Sequence, residues 1–144
     1  MKRYSGLIFF LALLSVLAGY LFSKVSLVGR IGMSLFYKEY NFFKTWWKGG
    51  LLVFGILMLL LLIQAAINKY ASIRASIVSN LCALGLAIAG LMITYSDFRH
   101  TTSHRWAGER FHLGGYCFWM GWMIISLYLL VNRNNKAGEI KTKK

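Results

Sequence analysis

The chain has 144 residues, with 17 Lys and Arg against 4 Asp and Glu, and a formal net charge of +13. In a soluble protein such a balance would point to nucleic acid, but here every basic residue flanks an apolar stretch, where anionic headgroups attract it. Nucleic acid is therefore excluded as the expected partner, and membrane lipids take its place.

Four uncharged stretches, Tyr4–Ser23, Gly49–Asn68, Ala75–Ser96 and Leu113–Asn132, make up more than half of the chain. A helix rises about 1.5 Å per residue and the hydrocarbon core is about 30 Å thick, so about 20 such residues suffice to cross it. The expected fold is an all-α membrane protein, a four-helix transmembrane bundle. About 60 residues remain outside the spans, too few for a separate soluble domain, so residues 1–144 read as a single membrane domain. The chain has no proline, which predicts regular helices and counts against a carrier built on broken ones.

The first span, residues 4–23, follows Lys2 and Arg3 and carries Val16-Leu17-Ala18, which resembles a signal-peptide cleavage site. Its apolar run continues through Leu21 and Phe22, beyond a usual signal core, and this predicts a retained helix. Cleavage after residue 18 would leave three spans.

Residues 24–48 form the first loop. Arg30, Ser34, Tyr37, Lys38, Asn41, Lys44, Thr45 and Lys48 recur at helical spacing, within an arc of about 120° at about 100° per residue. Val28, Ile31, Leu35, Phe36, Phe42, Phe43, Trp46 and Trp47 fill much of the rest. A basic stripe opposite an aromatic face predicts an amphipathic helix lying at the interface, with Trp46 and Trp47 in the aromatic belt. Glu39 breaks the pattern near the centre of the apolar arc, where an unpaired carboxylate is costly. It calls for a cationic partner, with Arg99, Arg105 and Arg110 as candidates, or for an interrupted helix.

The second span, residues 49–68, is bulky on all sides over Leu57–Ile63 and is expected to face lipid in part. A short turn with Lys69 and Arg74 leads to the third span, residues 75–96. There Ser79, Ala83 and Ala87, with Gly85, Ala89 and Gly90 beside them, predict close helix packing. Gln64 and Asn80 are the strongly polar side chains well inside the spans. At similar depths on antiparallel neighbours, they are expected to form a structural amide pair. Cys82 and Cys117 differ in depth by about 15 Å, by rise per residue, too far for a disulfide.

The loop 97–112 holds all three histidines, His100, His104 and His112, together with Asp97 and Glu109. Were residues 97–106 to continue the third helix, His100 and His104 would share a face one turn apart, and His112 could fold back as a third ligand. Imidazoles with a carboxylate suit zinc or iron, and opposed histidines suit haem b. The motif lacks the Glu that follows the first His in zinc proteases, and a solvated loop with Asp97–Arg99 and Arg105–Glu109 ion pairs explains the same residues.

The fourth span, residues 113–132, carries Gly114, Cys117 and Gly121 as a second packing surface, and residues 133–144 read as a basic tail. Nine basic residues fall on the side of the termini and eight on the other, so charge alone barely orients the chain. The clustered tail and the N-terminal Lys-Arg pair favour cytoplasmic termini.

With no ionisable group inside a span, conduction and proton relay lose their usual means. The expectation is a non-catalytic accessory or assembly subunit of a larger membrane complex, partnered by other integral membrane subunits. The alternative is a metal- or haem-binding redox protein using His100, His104 and His112, supported by Glu39, Asp97 or Glu109. A further alternative is a lipid-headgroup binder or enzyme using Arg99, Arg105 and Arg110, although no nucleophile motif accompanies them.

Overall fold

Long uncharged sequences must satisfy their backbone groups internally, and in this protein they do so as helices. The computed structural model describes residues 4–24, 45–100 and 109–142, with side chains over 4–24, 45–96 and 113–133. Among these residues there are four helices: α1 (Ser5–Ser23), α2 (Trp46–Tyr70), α3 (Ile73–His100) and α4 (Glu109–Thr142). Each contains a segment long and apolar enough to cross a membrane, as expected of a multi-pass membrane protein. Of the interfacial helix expected over residues 24–48, residues 25–44 lie outside the described residues, and residues 46–48 belong to α2.

α2, α3 and α4 outrun their uncharged stretches, while α1 matches its own to within one residue. α2 begins at Trp46, so Trp47 and Lys48 belong to its first turn, with the Lys48 ammonium 5.6 Å from the Trp47 ring centre. α4 continues through residues 133–142, expected as a tail. Once a helix is nucleated, each further residue adds a hydrogen bond, and without proline nothing in this stretch forces it to stop.

α4 is the central helix, lying against all three others. α1 packs on α2 and α4, α3 packs chiefly on α4, and the consecutive helices α2 and α3 share the smallest of these interfaces. Buried positions recur at three- and four-residue steps: Leu7, Leu11, Ser15, Ala18 and Phe22 on α1; Val53, Leu57, Leu61 and Gln64 on α2. On α4 they are Gly114, Cys117, Gly121, Ile125 and Leu129. This is the seam spacing of side-by-side helices. Leu57 and Leu61 point inward while Leu59, Leu62 and Ile63 point out, as expected for a bulky helix partly facing lipid.

Unlike in a soluble protein, the surface is as apolar as the core, and polar side chains lie among the buried ones. Phe9, Leu51, Leu59, Met92 and Ile93 are more than half exposed, while Ser15, Gln64, Ser76, Asn80 and Ser126 are buried. A surface of that kind suits hydrocarbon, and polar groups within it are expected to turn inward toward partners.

The closest approach is between α1 and α2. A Cβ on Gly19 would collide with the Gly50 backbone nitrogen and the Trp46 carbonyl oxygen, and one on Gly50 would lie 3.1 Å from the Ser15 carbonyl oxygen. Only glycine lets the two backbones touch here. Between α3 and α4 the closure is different: the Trp119 indole lies on Gly90 and donates from Nε1 to Thr94 Oγ1 at 2.9 Å.

Candidate functional site: a cationic cleft at the turn end

Most of the interhelical polar bonding among the described residues collects at the end of the bundle where α2 turns into α3. The turn is two residues long and contains neither Gly nor Pro. Ala71, in extended conformation, ends α2, and its N–H still reaches the Ile67 carbonyl at 2.9 Å. Ser72 caps α3, accepting from the Ala75 N–H at 3.3 Å. Asn68, on the last turn of α2, then binds the start of α3. Its Oδ1 accepts from Ser76 Oγ and, at 2.8 Å, from Asn80 Nδ2.

One turn deeper, α2 is bonded to α4. Gln64 Nε2 donates to Ser126 Oγ at 3.3 Å, and that hydroxyl lies 3.1 Å from the Trp122 carbonyl four residues back. The two amides were expected to bond each other. Instead Gln64 faces the central helix and bonds Ser126, while Asn80 meets α2 one turn further along, at Asn68. Both are buried and both tie helices together, Gln64 to Ser126 and Asn80 to Asn68.

Arg133 closes this end. Its Nη2 donates to the Ala71 carbonyl at 3.0 Å, placing a cation against the exposed carbonyls at the C-terminus of α2. Its Nε is buried with no acceptor. Between the start of α1, the last two turns of α2 and the exit of α4 lies a cleft of about 500 Å³. Leu62, Ala65 and Leu129 form its apolar wall, while Tyr4, Lys69 and Arg133 bring hydroxyl and cationic groups to it. Tyr4 also packs on Tyr128, with ring centres 6.1 Å apart.

The residues singled out in the loops stand apart from this cleft. Asp97, Arg99 and His100 belong to the last turn of α3, and Glu109, Arg110 and His112 to the start of α4. Their side chains, and Glu39, His104 and Arg105 altogether, lie outside the described residues. Among the described residues no three His, Cys, Asp or Glu side chains cluster as metal ligands. Cys82 is exposed on α3 and Cys117 buried on α4, both as free thiols, as their depths predict.

Sequence reasoning passed over Asn68, Ser76, Ser126 and Arg133. One signal was present: Ser72, Ser76 and Asn80 recur every four residues and so share one face of a helix. Comparison with protein-family models, with curated proteins and with solved structures finds no match to this chain.

Proposed function

We propose that this protein is a non-catalytic accessory or assembly subunit of a larger membrane complex, and that α3 is the helix through which it joins its partner. The observation that carries this reading is the outer surface of α3. That helix buries 17% of its spanning segment, against 28–33% for the other three. Its outward residues include Cys82, Gly85 and Ala89, which fall within an arc of about 60° at helical spacing. A Cβ added at Gly85 would meet nothing within 4 Å, so Gly85 serves no contact inside the bundle. Bulky side chains sit at no penalty against lipid, whereas small residues suit a surface on which another helix lies. The partner is accordingly another integral membrane subunit with an uncharged transmembrane helix.

The test uses two substitutions at glycines that both face open space, Gly85 on α3 and Gly55 on α2. Purified in mild detergent, the unaltered protein is expected to run with a defined partner in fixed stoichiometry. Gly85→Leu should release that partner with the helix content unchanged, while Gly55→Leu should retain it. Elution as a lone monomer in several mild detergents, or equal loss in both variants, would overturn the reading.

A further inference from the structure

We infer that the cleft at the turn end binds the phosphate of an anionic membrane lipid, held between Lys69 and Arg133. The inference is independent of the α3 surface. Lys69 and Arg133 are the first charges beyond the uncharged stretches of α2 and α4. They therefore stand where hydrocarbon gives way to headgroups, at the level of lipid phosphates. Both line the same cleft, whose volume of about 500 Å³ accommodates a phosphoglycerol group rather than a lone ion.

Among the described residues the cleft has no anion of its own. No Asp or Glu occurs among the residues whose side chains are described, so nothing in that set neutralises the two cations. The bond from Arg133 Nη2 to the Ala71 carbonyl fixes one edge of the guanidinium, yet the buried Nε has no acceptor. A buried guanidinium N–H without an acceptor is costly, and a phosphate oxygen is the acceptor that guanidinium geometry matches best. Tyr4 supplies a hydroxyl at the same rim.

The apolar wall distinguishes a lipid from a free phosphate. Leu62 and Leu129 line the cleft below the cations, and Leu62 is 62% exposed on the outer surface of α2. An acyl chain attached to a phosphate held at Lys69 would lie along that surface, toward Leu59, without leaving the hydrocarbon. Inorganic phosphate would gain nothing from it.

The opposite end of the bundle offers a useful contrast. A groove of about 600 Å³ there is lined by Leu13, Val16, Leu17, Tyr20, Lys24 and Trp46. It carries one cation, Lys24, whose Nζ lies 5.1 Å from the centre of Tyr20, much as Lys69 in the turn-end cleft lies 5.2 Å from the centre of Tyr70. Of these two grooves, it is the turn-end cleft that brings two cations together, one of them with a guanidinium nitrogen that has no acceptor.

The experiment is a competition for the full-length protein in detergent, with retained lipid read by native mass spectrometry. The probes are phosphatidylglycerol and phosphatidylcholine of the same acyl chains, with inorganic phosphate as a separate arm. Phosphatidylglycerol should be retained in preference, and Lys69→Gln should weaken that preference about fivefold, the factor expected for one basic residue near a membrane surface. Arg133→Gln should weaken it at least as much, and Arg74→Gln, exposed at the same end but outside the cleft, should leave it unchanged. Lys69→Gln gives up the ammonium's contact with the ring of its chain neighbour Tyr70 rather than a bond between helices, so the test stands even should Arg133→Gln fail to fold. Equal retention of both lipids, an unchanged preference in Lys69→Gln, or displacement of the lipid by millimolar inorganic phosphate would each overturn the inference.

Discussion

Where α1 crosses α2, backbone meets backbone; where α3 crosses α4, an aromatic ring lies between. At the first crossing Gly19 faces the Gly50 nitrogen and the Trp46 carbonyl oxygen. The glycine hydrogen standing in place of a Cβ points at those atoms, the geometry of Cα–H···O contacts between close helices. At the second, the Trp119 indole covers Gly90, stacks on Trp122 at 5.8 Å between ring centres, and packs edge-on against Phe118 at 5.1 Å. The first crossing has no adjustable part, because backbone atoms move only if a whole helix moves. The second contains a side chain that can tilt. Two interfaces built on the same residue type should therefore differ sharply in their tolerance of one methyl group.

The largest effect is expected at Gly19. Gly19→Ala places a methyl on the α2 backbone, so the helices must separate along the crossing or rotate apart. Overpacking of this kind typically costs about 1–3 kcal/mol, and a clash with backbone belongs at or above the top of that range. Unfolding of the purified protein in mixed micelles of increasing SDS, followed by circular dichroism, would measure the loss. No substitution on α2 should restore it, since Gly50 already carries no side chain. A Gly19→Ala variant within about 0.5 kcal/mol of the unaltered protein, the range of ordinary surface changes, would break the comparison.

Gly90→Ala should cost less, about 1–2 kcal/mol, because the tip of the indole can yield at the expense of its bond to Thr94. The distinguishing outcome is rescue. Combined with Trp119→Leu, which removes the obstructing ring, the added methyl should cost little beyond the price of losing the indole itself. The cycle between the two positions is thus expected to show strong coupling, measured by the same SDS titration. Additive losses would mean that the ring is as immovable as a backbone, and the two crossings would then be of one kind.

The spans were legible because charge is excluded from them. Each uncharged stretch matches one helix, the first to within one residue and the other three lying inside theirs, and the larger differences arise where helix continues past hydrocarbon, as at Trp46 and beyond Arg133. Which face of each helix points inward was much less legible. Against lipid both faces are apolar, so the periodicity that marks a soluble helix is weak. Ala87 and Gly90 do face α4, but Gly85 and Ala89, read as part of the same packing surface, point outward. Gly19 gave no distinct signal, since a lone glycine amid Ala18 and Tyr20 does not announce a backbone opposite. The cationic cleft was illegible for a different reason. Tyr4, Lys69 and Arg133 lie far apart in sequence, and each alone reads as an ordinary residue flanking a span. The bundle brings them together where the start of α1, the end of α2 and the exit of α4 meet.

The smallest effect is expected from the polar bonds, and it tests whether close packing rather than hydrogen bonding holds these helices. Gln64 and Ser126 are both buried, and the bond from Gln64 Nε2 to Ser126 Oγ is long, 3.3 Å, with the single hydroxyl proton left to the Trp122 carbonyl at 3.1 Å. Interhelical hydrogen bonds within membranes contribute about 0.6 kcal/mol on average, because the unfolded chain in lipid also finds partners for its polar groups. A double-mutant cycle of Gln64→Met and Ser126→Ala should therefore return a coupling of about 0.5 kcal/mol. Ser126 keeps the Trp122 carbonyl as an acceptor when Gln64 is removed, which lowers the penalty of the single change. Gln64, replaced by an apolar side chain of similar length, leaves no amide behind to be satisfied. A coupling above about 2 kcal/mol, beyond what such pairs show in membranes, would give the amide a share of stability comparable to the Gly19 crossing. The bundle would then owe its cohesion to the polar turn end as much as to its backbone contact, and the cleft beside Arg133 would sit on the most rigid part of the molecule.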